Sequence, residues 1–135
     1  MPTLHLHLAP LQNPPRYAAL AQALTALTAR VLGKRPEVTV VLIDDLPVAR
    51  WYIGAQEAAQ PTAWLEIDIT AGTNTEAEKA AFVQQAFDEL ERQLGAGRPL
   101  APASYVTVRE LPATDWGYGG QTQAARRQAR QPSAP

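Results

Sequence analysis

The sequence predicts an α+β fold: two tandem βαβ units that form a four-stranded sheet with two helices on one face. Two observations carry this expectation. Strand-like runs that alternate apolar and polar residues are each followed by a helical run and then by a further strand. The two units also end alike, in RWYIGA (50–55) and DWGYGG (115–120), and matching landmarks lie about 60 to 66 residues apart, as in an internal duplication. A length of 135 residues suits one compact domain, expected over 1–120 with pseudo-repeats 2–60 and 63–120.

Each element follows from its local pattern. In TLHLHL (3–8), Leu4, Leu6 and Leu8 share one face and Thr3, His5 and His7 the other, the mark of a half-buried strand. The next run, NPPRYAALAQALTALTARVLGK, has Asn13 as a candidate cap, Pro14 at a first helical position and Gly33 as a stop. Tyr17, Leu20, Leu24, Leu27 and Val31 keep the helical period. After Pro36, EVTVVLI reads as a second strand, broken by a turn at DDLP that holds Asp44 and Asp45. AQEAAQPT links the units, and AWLEIDIT alternates again. The second helix has Thr73 or Asn74 as capping candidates, a stripe of Phe82, Ala86, Phe87, Leu90 and Leu94, and a stop at Gly95. A Pro/Gly connection, AGRPLAPA, leads to the fourth strand, SYVTVREL. Residues 121–135 lack an apolar period and are expected to be a flexible tail, in which Arg126, Arg127 and Arg130 aid solubility.

Composition narrows the function classes. A net charge of −1 gives no global footprint for nucleic acid or an anionic membrane. With no cysteine, disulfides and thiolate metal sites are excluded. No signal peptide or membrane-length apolar run is evident, so the expected compartment is the cytoplasm. His5 and His7 have a spacing that metals use, but no third ligand is apparent, and neither metal nor cofactor is expected. Two helices on one sheet face leave the other uncovered, which predicts self-association.

The chemistry begins at the N-terminus. Methionine before a small second residue is usually trimmed, which would make Pro2 a free secondary amine, and such an amine is a base. In a partly apolar pocket its ammonium form loses solvation, so its pKa falls toward neutrality and it can shuttle a proton. The competing reading is a proline that merely starts a strand where a missing N–H does no harm.

The Met-Pro start, the duplicated βαβ plan and the DWGYGG ending together resemble the tautomerase superfamily over roughly residues 2–120. That resemblance implies a homotrimer whose sheet faces meet centrally, with Pro2 as the catalytic group acting on a small carboxylic acid. Ala63, the matching position of the second unit, lies inside the chain, so one proline site per chain is implied. The GKRP turn is similar to that of the macrophage migration inhibitory factor branch. It implies Lys34 at the pocket rim and Tyr105 as a catalytic side chain reaching the pocket of a neighbouring subunit. Asp115 and Trp116 resemble the pair of the decarboxylase branch, with Trp116 as an apolar wall beside the amine. Positions where other branches carry arginine hold Thr39, Tyr105 and Thr73, or Gly72 and Asn74, which points away from a dicarboxylate substrate and from decarboxylation. Arg16, Lys34, Arg50 and Arg109 are the candidate replacement cations for a substrate carboxylate.

The expected activity is therefore keto-enol tautomerisation of a 2-oxo or enolised carboxylic acid. Two alternatives stay open. One is a hydratase or dehalogenase of an unsaturated acid, with Asp115 or Glu110 activating water; the other is a non-catalytic trimeric binding protein.

Overall fold

A computed structural model describes residues 2–10 and 15–130. Strand β1 (Thr3–Ala9) leads to helix α1 (Tyr17–Leu32), a 3-10 turn at Pro36–Val38 and strand β2 (Val40–Asp45). A hairpin of β3 (Tyr52–Ile53) and β4 (Gln56–Glu57) closes the first unit. The second unit repeats the order with β5 (Thr62–Thr70), α2 (Glu76–Leu94), β6 (Tyr105–Leu111) and a hairpin of β7 (Gly117–Tyr118) and β8 (Gln121–Thr122). A third helix, α3 (Gln123–Arg130), follows.

The expected fold class is observed. The main sheet has the order β2-β1-β5-β6, parallel within each unit and antiparallel where β1 meets β5. The two opening strands are therefore central. Leu4, Leu6 and Leu8 from β1 and Leu65, Ile67 and Ile69 from β5 are at most 1 % exposed. They pack against Leu20, Leu24 and Leu27 of α1 and Phe82, Ala86 and Leu90 of α2 in one core. Burial of this apolar stripe is what joins the helices to the sheet.

Several boundaries differ from the sequence reading. The second strand starts at Val40 rather than Glu37, because Pro36 opens a 3-10 turn whose Thr39 N–H returns to the Pro36 carbonyl at 3.1 Å. Asp44 and Asp45 belong to β2 rather than to a turn. Helix α2 is capped by Thr75, not by Thr73 or Asn74: its hydroxyl accepts from the Glu78 N–H and Glu78 accepts from the Thr75 N–H, a reciprocal capping box. Asn74 instead donates to the Leu32 carbonyl at 3.0 Å and closes the end of α1. Gly33 ends α1 as expected, in a left-handed conformation with φ 69°. Asn13 and Pro14 lie outside the described residues.

The segment expected as a flexible tail is structured through Arg130. Thr122 accepts from the Ala125 N–H at 3.0 Å and so caps α3. Arg126 lies 3.8 Å from the centre of the Tyr118 ring and donates to the Tyr118 carbonyl at 2.8 Å. That arginine fastens the helix to the hairpin, a role beyond solubility.

Candidate active site at the proline end of the sheet

Pro2 is buried, and its carbonyl accepts from the Val40 N–H at 3.3 Å. The β1–β5 register pairs Thr3 with Asp68, so one residue further Pro2 stands opposite Ile69, next to Thr70 at the end of β5. Thr70 is a junction for the candidate residues. Its hydroxyl accepts from Trp116 Nε1 at 3.2 Å, and its carbonyl accepts from the Thr73 hydroxyl at 2.6 Å. Thr73 Oγ1 in turn accepts from Lys34 Nζ at 2.9 Å. A continuous set of hydrogen bonds thus gathers Lys34 and Trp116 at the end of the sheet where Pro2 begins. The sequence reading missed Thr70, whose place at the close of an alternating strand gave no sign of a tether.

Lys34 is half-buried, and desolvation holds its ammonium below the usual lysine range; Glu78 and Glu110 pull the other way. It lines a cavity of about 260 Å³ together with Arg35, Tyr118, Gln123 and Arg130. Gln123 is only 8 % exposed, and its Nε2 has no hydrogen-bond partner among the described residues. A spare buried donor among three cations is suited to an anionic oxygen. The Thr122-Gln-Ala-Ala stretch, a capping residue ahead of a helix-forming run, was the available signal for this contribution.

The other expected site residues fall elsewhere. Asp115 precedes Trp116 in an exposed turn, accepting from the Thr114 hydroxyl at 2.8 Å. Arg109 lies on the open sheet face, 3.2 Å from Asp68, across the strand that separates it from Thr3. Arg16 precedes α1 on the helical layer, beside a groove shared with Arg92 and Gln93. It is at the opposite end of the chain fold from Pro2, because α1 runs back along β1. Tyr105 is 61 % exposed and stands in register with Trp64, which faces His7. Five residues of extended strand, roughly 16 Å, separate His7 from Pro2. Tyr105 therefore does not meet the proline of its own chain.

Glu110 is fully engaged. It forms an ion pair with Lys79 and accepts from the Gly72 N–H at 3.1 Å, and these partners hold its carboxyl below the ordinary range. A carboxylate so stabilised is a weak base for activating water.

The comparisons with known proteins agree with this architecture. No protein-family model matches the chain, and no curated protein matches it. Solved structures do. The F6 fused 4-OT, an asymmetric trimer, is 28 % identical, with 92 % of this chain and 98 % of that one covered at a TM-score of 0.77. The R7 fused 4-OT, also an asymmetric trimer, is 27 % identical over 93 % and 98 % at 0.78. A macrophage migration inhibitory factor-like protein from Entamoeba histolytica shares the fold at 17 % identity, covering 90 % and 97 % at 0.70. The fold and the proline end of its sheet define a β-α-β protein of the tautomerase type. The chain has the tautomerase-superfamily fold and is similar to the fused 4-OT structures at 27–28 % identity.

Proposed function

We propose that the protein is a homotrimeric keto-enol tautomerase in which Pro2, freed by removal of Met1, is the general base and acid. The observation that carries this reading is the burial of Pro2 at the same sheet end as Lys34 and Trp116, the latter tied to Thr70. An amine in that setting is less solvated as an ammonium, so it is neutral enough near pH 7 to accept a proton. It takes the proton from the carbon or enol oxygen of a 2-oxo or enolised carboxylic acid and returns it at the other position. Lys34 holds the substrate carboxylate, with Gln123 as a further donor, while Trp116 supplies the apolar wall. Tyr105 enters from a second copy and donates to the developing enolate oxygen. Lys34 and Gln123 line a cavity of about 260 Å³ that neither Pro2 nor Trp116 lines, so this reading requires a neighbouring chain to complete the pocket. The engagement of Glu110 with Lys79 favours tautomerisation over water addition.

The test is a variant with one extra residue ahead of Pro2, assayed with phenylenolpyruvate. Turnover should be abolished while the trimer persists, because the nitrogen becomes an amide without a basic lone pair. An unchanged rate would rule out the proline mechanism. NMR titration of the N-terminal amine separates catalyst from inert binding protein: the expected result is a pKa well below that of a solvated proline.

A further inference from the structure

We propose that His5, His7 and Asp44 form a binding site for one divalent transition-metal ion of the zinc, copper and nickel class, on the open sheet face away from Pro2. Strand alternation puts both histidines on one face, and the parallel register sets Asp44 directly beside His7. His5 Nε2 lies 2.6 Å from Asp44 Oδ2, and His7 Nδ1 lies 3.9 Å from the same oxygen. The two imidazole rings are 4.3 Å apart and tilted by 32°. One ligand atom from each of the three residues falls within 4.8 Å of the others. Around a tetrahedral ion with bonds of about 2.1 Å, ligand atoms sit roughly 3.4 Å apart. The 2.6 Å contact must open and the longer ones close, by side-chain rotation alone. That freedom exists, since the three side chains are 42 %, 36 % and 57 % exposed.

The donor set selects the ion. Two neutral imidazoles and one carboxylate suit borderline metals, whereas calcium and magnesium require oxygen ligands. Glu66 stands opposite His5 across the β1–β5 pair and lines the same cavity of about 470 Å³, on which both histidines open. The remaining coordination positions therefore face a cavity that contains a further carboxylate, Glu66. Arg50 lines that cavity as well and opposes the ion's charge, so the ligands must bind it directly rather than through a general field. Asp44 provides the third ligand that the sequence did not reveal. It comes from the other side of α1, 39 residues after His5.

His5 and His7 are the only histidines of the chain, and cysteine is absent, which makes the experiment decisive. Untagged, chelator-stripped protein is titrated with zinc chloride by calorimetry and with copper(II) by electron paramagnetic resonance. The expected result is one ion per chain, a Kd of about 10 µM or tighter and nitrogen hyperfine structure in the copper spectrum. His5→Gln and His7→Gln should each weaken binding at least about tenfold, and Asp44→Asn about tenfold, since even outer partners of a metal are worth that much. Magnesium should not compete. Circular dichroism and native mass check that each variant is folded, and Asp44→Asn tests the site without altering either imidazole. No saturable zinc binding below about 1 mM, or an affinity unchanged in the histidine variants, would overturn the proposal. The inference uses no residue of the proline end, but the site shares the open sheet face with Trp64 and Tyr105, which the proposed trimer covers, so the titration is read on the protein in its native oligomeric state.

Discussion

Lys34 carries a stability cost that its proposed role in holding a substrate carboxylate would explain. Burial disfavours its ammonium, and the neighbouring Glu78 and Glu110 only partly offset this. A lysine whose folded pKa is depressed costs stability wherever both folded and unfolded chains are protonated. The cost is relieved as pH rises through the lowered folded value toward the ordinary 10.5. Lys34→Met should therefore leave Tm unchanged or slightly higher at pH 7 in a thermal melt. The same variant should raise KM for a carboxylate substrate about tenfold or more, with a smaller effect on kcat, because a ground-state contact is lost. A large loss of Tm together with an unaltered KM would make Lys34 a structural residue, bonded to Thr73 for folding alone.

At the scale of an element, the two helices of the repeat are begun in different ways. Among the described residues, α1 has Arg16 at its N-cap with no side-chain cap hydrogen bond, while α2 has the reciprocal Thr75 and Glu78 pair. Thr75→Ala should cost about 1 kcal/mol in urea unfolding, a loss expected at neutral pH. Bonding to the Thr75 N–H holds the Glu78 carboxyl below its usual 4.5. Its contribution is thus present above pH 4.5 and fades as pH falls through the lowered folded value. The acid limb of the stability curve should accordingly be shallower in Glu78→Gln than in the parent protein. The hairpins show the repeat again: β3–β4 and β7–β8 are each two-residue ribbons at the close of a unit. Each has a tryptophan on its approach, Trp51 and Trp116, but only the second leads directly into a helix, α3.

Across the whole molecule, the sheet is asymmetric. One face is sealed by α1 and α2, and the other presents Leu42, Trp64 and Tyr105, each about half exposed or more. Trp64 and Tyr105 pack together with ring centres 5.9 Å apart, so the patch is continuous and aromatic. A second copy of the chain is the occupant our functional reading requires, since Tyr105 lies far from its own Pro2. Light scattering should give a mass about three times the 14.6 kDa of the chain. Trp64→Glu should shift that mass toward a single chain and remove tautomerase turnover in parallel, as a buried unpaired charge is costly at an interface. A fully active monomer would refute the shared-site arrangement.

Alternation and helical period are local properties, and they carried the α+β order and the Leu4, Leu6 and Leu8 face from residues to fold, whereas the central place of β1 and β5 came only with the strand order. Pro2 and Trp116 stood out as candidates because each is marked by its place in a short motif. Neighbourhood across the fold is not local. The Thr70 tether, the entry of Gln123 beside Lys34, the separation of Tyr105 and Arg16 from Pro2 and the meeting of Asp44 with His5 all depend on strand register and helix direction, which bring residues 39 to 89 positions apart together. Such contacts are set by how the apolar core closes, since burial aligns the strands and every polar side chain is then carried to whatever partner that alignment provides.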